Sequence, residues 1–212
     1  MDDGDGIAMK QVMKRVIDVV VAGSALLVLW PVMALIALGI WWSDGGPVLF
    51  RQMRPGYRGR AFTLLKFRTM RDRRDARGQL LPDAERLTPL GKLLRRLSLD
   101  ELPQLWSVLR GDMSLVGPRP LLMQYLERYS AEEMRRHEVK PGITGWAQIH
   151  GRNATTWPDR FGLDLWYVDH SGLGLDARIL LQTFWQTLKR NGIAQPGHAT
   201  MPEFSGSEHS KP

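Results

Sequence analysis

Residues 95–104 read Arg-Arg-Leu-Ser-Leu-Asp-Glu-Leu-Pro-Gln, and residues 111–120 read Gly-Asp-Met-Ser-Leu-Val-Gly-Pro-Arg-Pro. Two adjacent carboxylates, Asp100 and Glu101, lie in the first stretch, and the second stretch holds Arg119 between two prolines. Carboxylates beside guanidinium groups suit chemistry on a diphosphate, because arginine forms strong paired hydrogen bonds with phosphate oxygens. These residue types therefore make the two stretches a candidate active site.

The same carboxylates also have a purely structural explanation. Residues 101–110 have the apolar spacing of a helix, and Gly111 is a typical residue for a helix end. Acidic side chains are favoured in the first turn of any helix, because the helix dipole stabilises negative charge there. Ser98 and Glu101 also have the spacing of a capping box. The spacing alone leaves both interpretations open.

The composition limits the classes of protein to consider. A chain of 212 residues suits one domain with room for an added membrane element. Lys and Arg total 29 against 22 Asp and Glu, so the net charge is +7 and anionic partners are expected. The chain has no cysteine, which excludes disulfides, thiolate metal sites and a cysteine nucleophile.

A long uncharged segment near the N-terminus indicates a membrane element. Residues 19–42 carry no charged side chain, which is enough to cross a bilayer as a helix. Basic residues lie on both sides, so the positive-inside tendency places both flanks on the cytoplasmic side. Pro31, near the middle, would kink a helix. The pattern favours a re-entrant helix–break–helix over 14–43 rather than a spanning helix, after a disordered leader at 1–13.

A small sheet is predicted next. Residues 48–52 and 61–70 have the composition of two short strands. Side chains alternate along a strand, so Lys66 and Arg68 share one face near the end of the second strand. They can line an anion site, or they can be the solvated end of a strand.

The rest of the chain is predicted to be mainly helical. Thr88 is a candidate N-cap for a short amphipathic helix that leaves Arg95 and Arg96 off its apolar stripe. Further amphipathic helices are predicted over 121–137 and 176–190, and such helices can pack on the core or lie at a membrane surface.

The fold class that follows is a mixed, helix-rich α/β protein. The membrane element is followed by a compact cytosolic catalytic domain over 44–192, with amphipathic interfacial helices and the small sheet. The Gly-, Ser- and Pro-rich residues 193–212 are predicted to be a disordered tail.

Several stretches together resemble one family. Ser-Leu-Asp-Glu-Leu-Pro-Gln-Leu from residue 98, the Gly-Asp-Met-Ser-Leu-Val-Gly-Pro-Arg-Pro stretch and Lys-Phe-Arg-Thr-Met from residue 66 resemble the bacterial sugar transferases. These are monotopic, polyprenyl-phosphate-dependent phosphoglycosyl transferases. The likeness covers roughly residues 14–192 and includes Gly-Arg-Asn at 151–153. It implies a re-entrant membrane hairpin, with Ser24 and Pro31 as the residues of the break.

The resemblance implies a covalent two-step reaction. Asp100 would attack the sugar-linked phosphate of a UDP-sugar, expel UMP and carry the phosphosugar until undecaprenyl phosphate accepts it. Mg²⁺ would be held by Glu101 and Asp100 with the diphosphate. The product, a polyprenyl diphosphate sugar, would be the first membrane intermediate of glycoconjugate assembly, and downstream glycosyltransferases would be its protein partners.

Substrate or phosphate binding is predicted for seven charged residues: Lys66, Arg68, Arg95, Arg96, Arg119, Asp164 and Asp169. For Arg119 the structural alternative is a surface arginine in a turn. For Asp164 and Asp169 it is an ion pair with a nearby arginine. The sequence around these aspartates is most similar to that of family members that use diacetylbacillosamine, so UDP-diacetylbacillosamine is the expected sugar donor.

The resemblance also implies a location, the bacterial inner (cytoplasmic) membrane, with the catalytic domain on the cytoplasmic face in contact with lipid.

Two other functions compete with the enzyme. A basic protein that binds nucleic acid or other anions would explain the charge, but no nucleic-acid module is recognisable and no nucleic-acid partner is expected. A non-catalytic membrane-anchored scaffold would tolerate Asp100→Asn. Neither accounts for the three motifs together.

Overall fold

The computed structural model describes residues 3–150, 156–189 and 203–206. The helices in these ranges are α1 (Asp3–Asp44), α2 (Asp83–Arg86), α3 (Pro89–Arg96), α4 (Gln104–Arg110), α5 (Ala131–Met134), α6 (Trp146–Ile149), α7 (Trp157–His170) and α8 (Leu173–Lys189). The strands are β1 (Leu49–Pro55), β2 (Ala61–Phe67), β3 (Ser114–Val116) and β4 (Gly142–Thr144). β1 pairs antiparallel with β2, and β3 pairs parallel with β4. The predicted helix-rich mixed α/β class is confirmed, with the small sheet divided into two pairs of strands.

Helix α1 is a single helix of 42 residues. Among the described residues it is the one helix that is long and apolar enough to cross a membrane. Residues 3–13, predicted to be a disordered leader, are helical from Asp3 onward; the side chains that favour helix, such as Ala, Met, Lys and Gln, lie in residues 8–13. The helix also continues through Ser24 and Pro31, so the predicted break is not confirmed.

The first half of α1 docks on the rest of the chain through charged side chains. Lys14 donates to the Asp176 carboxylate at 2.5 Å. Arg15 donates at 2.5 and 2.6 Å to two backbone carbonyls in the last turn of α4, where carbonyls lack a helical partner. The buried Asp18 carboxylate accepts from the backbone N–H of Leu115 in β3 at 3.0 Å. These pairings fix the rotation of α1 on the domain.

The second half of α1 packs on the same domain at another place. Ile36 and Ile40 are buried in an apolar cluster with Phe67 of β2 and Leu94 of α3. At the end of the helix, Asp44 accepts from an arginine of the loop after β2 at 2.6 Å. Both halves of α1 are therefore tied to one body.

One side of α1 faces away from the domain along much of its length, and its exposed apolar side chains include Val20, Leu35 and Trp42. Leu26 still packs on the main core and Met33 already packs on the second apolar cluster. At about 1.5 Å per residue, these two positions are about 10 Å apart along the helix. Leu27, Val28 and Trp30 lie between them and are 76%, 73% and 62% exposed.

Helix α3 approaches the end of β2 closely and so places the residues that follow it. The side chain of Thr88 accepts from the Gly91 N–H at 2.9 Å, as the sequence predicts for an N-cap. A Cβ atom at Gly91 would lie 2.1 Å from the Thr69 carbonyl oxygen, so only glycine fits here. This contact holds α3 against the strand, and the chain leaves α3 directly toward Asp100.

The helix predicted over 121–137 is wrong. The segment consists of a 3-10 turn, α5 and a second 3-10 turn. Ser130 and Glu133 form a capping box that begins a new helix in the middle of the predicted one. The interruption changes which side chains face inward, and Arg136 becomes buried.

The chain returns to this region near its C-terminus. Phe204 is 3% exposed and packs with Tyr125, Tyr129 and Phe161 in an apolar cluster. Residues 203–206 belong to the predicted disordered tail. The rest of that tail lies outside the described residues, and so does the Gly-Arg-Asn motif at 151–153. Disorder of that remainder stays a prediction.

Candidate active site

The two carboxylates lie in an irregular turn between α3 and α4. Asp100 and Glu101 belong to a 3-10 turn, and α4 begins at Gln104, three residues later than predicted. Ser98 has φ 57° and ψ 20°, and its side chain makes no capping hydrogen bond, so the capping-box explanation is wrong. A left-handed conformation is uncommon for a residue other than glycine and is concentrated at functional sites.

Glu101 is the centre of a cluster of opposite charges. Its carboxylate accepts from the Lys66 ammonium of β2 at 2.7 Å and from both terminal nitrogens of the Arg119 guanidinium. All three side chains are largely shielded from solvent, with 16% exposure for Glu101, 21% for Lys66 and 34% for Arg119. The structure thus brings together residues that are 35 and 18 positions apart in sequence.

These contacts control the protonation of Glu101 and Lys66. Burial alone would raise the pKa of the Glu101 carboxyl, but Arg119 and Lys66 outweigh it and hold this pKa far below its usual range. Burial lowers the pKa of Lys66, and the Glu101 charge opposes that shift. Glu101 also raises the pKa of Arg119. At neutral pH Glu101 and Arg119 form an ionised pair.

Asp100 lies in a different electrostatic environment. It is 8% exposed, and burial followed by the charge of Glu101 raises the pKa of its carboxyl. Lys66, Arg119 and Arg95 act in the opposite direction. The two neighbouring carboxyls therefore have pKa values shifted in opposite directions, which is the pattern expected where two acidic groups have different roles.

Arg119 is presented by a segment whose backbone packs very tightly. Residues 117–120 follow β3, and a Cβ atom at Gly117 would lie 2.2 Å from the Lys140 carbonyl oxygen. The Gly117 N–H donates to the Thr144 carbonyl at 2.9 Å. Arg119 is therefore not a free surface arginine in a turn.

The other predicted basic residues have partners away from Glu101 or are exposed. Arg95 donates to the Thr69 hydroxyl at 3.0 Å and is close enough to affect Asp100. Arg68 donates to the backbone carbonyls of Gly46 and Met70, so its guanidinium holds the chain segments on either side of the β1–β2 pair. Arg96 is exposed, and no contact within the described residues ties it to the carboxylates.

The two aspartates of α7 are ion-paired, which is the alternative that the sequence left open. Asp164 accepts from Arg136 at 2.6 Å in the interior. Asp169 pairs with Arg135 at the surface. Direct contact of either aspartate with a substrate stays a prediction that these pairings do not support.

Two arginines near Arg119, the buried Arg136 and the half-buried Arg54, were not predicted from the sequence to belong to the site. Arg136 donates to the Arg119 backbone carbonyl at 2.9 Å, and Arg54 donates to the Pro120 carbonyl at 3.4 Å. Burial, followed by the charge of Arg119, lowers the pKa of Arg54 to about 10. The Arg-Pro-Gly sequence at the end of β1 marks Arg54 as a turn residue, whereas Arg136 has no such signal.

Comparison with known proteins identifies the family of this chain. The family model described as bacterial sugar transferase matches residues 9–190. The uncharacterized sugar transferase EpsL of Bacillus subtilis is 60% identical over 163 residues, which cover 77% of this chain and 81% of that protein. The exopolysaccharide production protein ExoY of Rhizobium meliloti is 39% identical over 187 residues, covering 80% and 83%.

A third relative is named for its reaction. The UDP-glucose:undecaprenyl-phosphate glucose-1-phosphate transferase of Xanthomonas campestris is 46% identical over 183 residues. The match covers 81% of this chain but spans only 38% of that longer protein. With the family model matching nearly the whole described chain, this protein belongs to the bacterial sugar transferase family.

Proposed function

We propose that this protein transfers a sugar 1-phosphate from a UDP-sugar to a polyprenyl phosphate such as undecaprenyl phosphate, which yields a polyprenyl diphosphate sugar and UMP. The observation that carries this proposal is the cluster of Asp100 and Glu101 with Lys66 and Arg119. Relatives that match most of this chain are named as transferases acting on UDP-glucose and undecaprenyl phosphate. The cluster supplies both a nucleophile and cations for that reaction.

In the first step, a carboxylate oxygen of Asp100 attacks the phosphorus that bears the sugar. The bond from this phosphorus to the oxygen of UMP breaks, and UMP leaves with the electron pair. A phosphosugar is then linked to Asp100 as an acyl phosphate. In the second step, an oxygen of the lipid phosphate attacks the same phosphorus, and Asp100 leaves as a free carboxylate.

Lys66 and Arg119 are placed to stabilise the charge that develops during both steps. Their positions are fixed by Glu101 before any substrate binds, and preorganised cations in a shielded site stabilise a transition state more than mobile ones do. The Arg119 guanidinium also matches phosphate oxygens in shape. Glu101 thus acts as the organiser of the cluster, while Asp100 forms the covalent bond.

The residues also fit Mg²⁺ when a substrate shares in its coordination. No group of three His, Cys, Asp or Glu side chains in the described part of the chain could hold a metal ion alone. Magnesium is commonly bound by one or two carboxylates together with substrate phosphates, and Asp100 and Glu101 offer two. When bound there, Mg²⁺ would neutralise charge on the diphosphate.

The packing of α1 supports a membrane element whose two halves lie on one face of the bilayer. Its two halves dock on the same domain, and about 10 Å of helix separates Leu26 from Met33. A bilayer core is about 30 Å thick, and the roughly 10 Å of helix between these two docked positions is too short to span it. The exposed apolar side of α1 would insert into one leaflet, with the catalytic domain on the cytoplasmic face of the inner membrane.

Cysteine labelling tests this topology, because the chain has no native cysteine. Met9→Cys and Trp42→Cys, at exposed positions near either end of α1, should both react with a membrane-impermeant maleimide only after the cytoplasmic side is opened. Asp75→Cys, in an exposed loop of the domain, marks the side on which the domain lies. Labelling of the two ends from opposite sides would overturn the one-face topology and leave the proposed chemistry intact.

The sugar and the reaction are tested together by measuring UMP release in detergent. The donors are UDP-glucose, UDP-galactose and UDP-diacetylbacillosamine, each with Mg²⁺ and with or without undecaprenyl phosphate. We expect one donor to give UMP in amounts that depend on the lipid phosphate and to yield a polyprenyl diphosphate sugar. The resemblance predicts diacetylbacillosamine, whereas the Xanthomonas campestris relative is named for UDP-glucose.

Removal of Mg²⁺ with a chelator should abolish that release, and added Mg²⁺ should restore it. If folded protein releases no UMP from a broad panel of UDP-sugars and gains no phosphosugar mass, the transferase proposal is wrong. The membrane-anchored scaffold would then be the better explanation of the charged cluster. Salt-sensitive DNA binding in the same preparation would instead favour the nucleic-acid alternative.

A further inference from the structure

The backbone on both sides of Arg119 is held through its carbonyl groups. Pro118 and Pro120 have no N–H to donate, so this segment can be fixed mainly by donors from elsewhere. The Pro118 carbonyl accepts from the Gly142 N–H at 3.0 Å. The Arg119 carbonyl accepts from the buried Arg136 side chain, and the Pro120 carbonyl accepts from the half-buried Arg54 side chain. Three successive carbonyls are thus held by three different parts of the fold.

Arg136 makes the shorter of the two arginine contacts and is the more completely buried. Its side chain is 1% exposed and that of its partner Asp164 is 2% exposed. Its Nη2 donates both to Asp164 at 2.6 Å and to the Arg119 carbonyl at 2.9 Å, and its Nη1 donates to the Tyr129 hydroxyl at 3.2 Å. The guanidinium also lies 5.7 Å from the ring centres of Tyr129 and Phe161.

This arrangement is more elaborate than stability requires. A buried ion pair loses much of its Coulomb energy to desolvation, and well-packed apolar residues often stabilise a protein as much or more. What an apolar pair cannot do is donate a hydrogen bond to the Arg119 carbonyl. The effect that only the Arg136–Asp164 pair provides is therefore a fixed Arg119 backbone.

We propose that Arg136 and Asp164 are a positioning pair, in which Asp164 orients Arg136 and Arg136 fixes the Arg119 backbone so that its guanidinium meets Glu101 and the substrate phosphate. This inference rests on the proposed function for its catalytic consequence, and it replaces the substrate-binding role that the sequence suggested for Asp164. Neither residue of the pair contacts the carboxylates of Asp100 and Glu101. Both act through Arg119.

The central test replaces both members of the pair by Arg136→Met with Asp164→Leu. The substitution removes both charges of the pair together, but the buried Arg160 also loses the nearby charge of Asp164. We therefore expect the double variant to fold with a lower melting temperature, and rates are compared well below that temperature. We expect kcat for UMP release to fall 10- to 100-fold, as is typical when a group that orients an active-site residue is lost. Arg136→Lys is the second variant, since an ammonium keeps the charge but lacks the planar fork.

A double-mutant comparison separates positioning from general support of the fold. If the pair acts through Arg119, the same double substitution should cause no further loss of activity in an Arg119→Ala background. A further fall as large as that in the wild-type background would overturn the proposal. Arg135→Met is the matched control, because the adjacent Arg135 also pairs with α7, at the surface; it should leave the rate unchanged.

Hydrogen exchange gives a readout that needs no substrate. The Gly117 amide, within the Arg119 segment, donates to the Thr144 carbonyl, and the Gly142 amide donates to the Pro118 carbonyl. Hydrogen exchange at both amides should therefore accelerate at least about 10-fold in the double variant. The amides of the β1–β2 hairpin should be unaffected. Unchanged exchange at Gly117 and Gly142 would refute the positioning pair even if the transferase proposal holds, and accelerated exchange would support the pair even if no sugar donor is found.

Discussion

Asp100→Asn should abolish UMP release and leave the protein folded. The amide that replaces the carboxylate has nearly the same shape but cannot act as the nucleophile. Loss of a nucleophile typically costs at least about 10³-fold in kcat, so we expect the variant to be at or below detection. Wild-type protein incubated with the correct UDP-sugar and no lipid phosphate should gain the mass of one phosphosugar, whereas the variant should gain none.

The same substitution should make the protein at least as stable as the wild type. Burial and the charge of Glu101 raise the pKa of Asp100, so its ionised form destabilises the folded state. For a carboxyl with a raised folded pKa, this cost is absent below the unfolded pKa of about 3.9 and is complete above the folded pKa. Asn carries no charge, so the melting temperature of the variant should equal or exceed that of the wild type at pH 7.

The control for Asp100→Asn is Asp75→Asn, which alters an exposed aspartate in the loop after β2. It should leave the rate, the phosphosugar adduct and the melting temperature unchanged. If Asp100→Asn retains both UMP release and the adduct, another residue is the nucleophile. If activity is lost together with folding, the stabilising effect expected from the raised pKa is wrong.

The core of the candidate site is predictable because its residues belong to short stretches of characteristic composition. Asp100 and Glu101 are adjacent, and Arg119 follows Glu101 by 18 residues. Lys66 needs one further step, since its place beside Glu101 depends on how β2 packs. The side-chain alternation of a strand puts Lys66 and Arg68 on one face, yet only Lys66 reaches the carboxylate.

The support of the site could not be predicted, because it depends on an interruption of regular structure. An uninterrupted helix over 121–137 would turn its charged residues to solvent. The capping box at Ser130 starts a new helix and brings Arg136 into the interior, against the strong tendency of arginine to stay exposed. Asp164 then appears as a partner of Arg136 only when α7 is packed beside it.

The packing of the membrane element on the domain could not be predicted from the sequence either. Composition and flanking charges predict an apolar helix with both ends on one side of the membrane. They do not predict that Lys14, Arg15 and Asp18 are used to dock the helix, since charges at the start of an apolar segment ordinarily face water or lipid headgroups. The proline that suggested a break removes one hydrogen bond, and the helix continues past it.

Glu101→Gln should impair both stability and catalysis. Lys66 and Arg119 would lose the negative charge between them and remain as two mostly buried cations. Because the cluster is partly exposed, we expect a loss of about 2 kcal/mol in the free energy of unfolding at pH 7, between the values typical of surface and buried ion pairs. The rate should fall about 10²- to 10³-fold, since both cations lose their fixed positions.

The pH dependence of that stability loss has a definite sign. The folded-state pKa of Glu101 is depressed, so its contribution is present above the unfolded pKa of about 4.3 and is lost as the pH falls toward the folded pKa. The difference in unfolding free energy between wild type and Glu101→Gln should therefore be largest above about pH 5 and shrink in acid. A difference that grows on acidification would contradict the ion-paired Glu101.

The pH dependence of catalysis should shift as well, in a direction set by Asp100. The negative charge of Glu101 is one of the two main causes that raise the pKa of Asp100, while Lys66 and Arg119 lower it. In Glu101→Gln the first effect disappears and the two cations are no longer neutralised. The pKa of Asp100 should fall, and the acid limb of kcat/KM should move to lower pH although the maximum rate is reduced. A limb that stays in place or moves to higher pH would show that Asp100 is not the group that must be ionised.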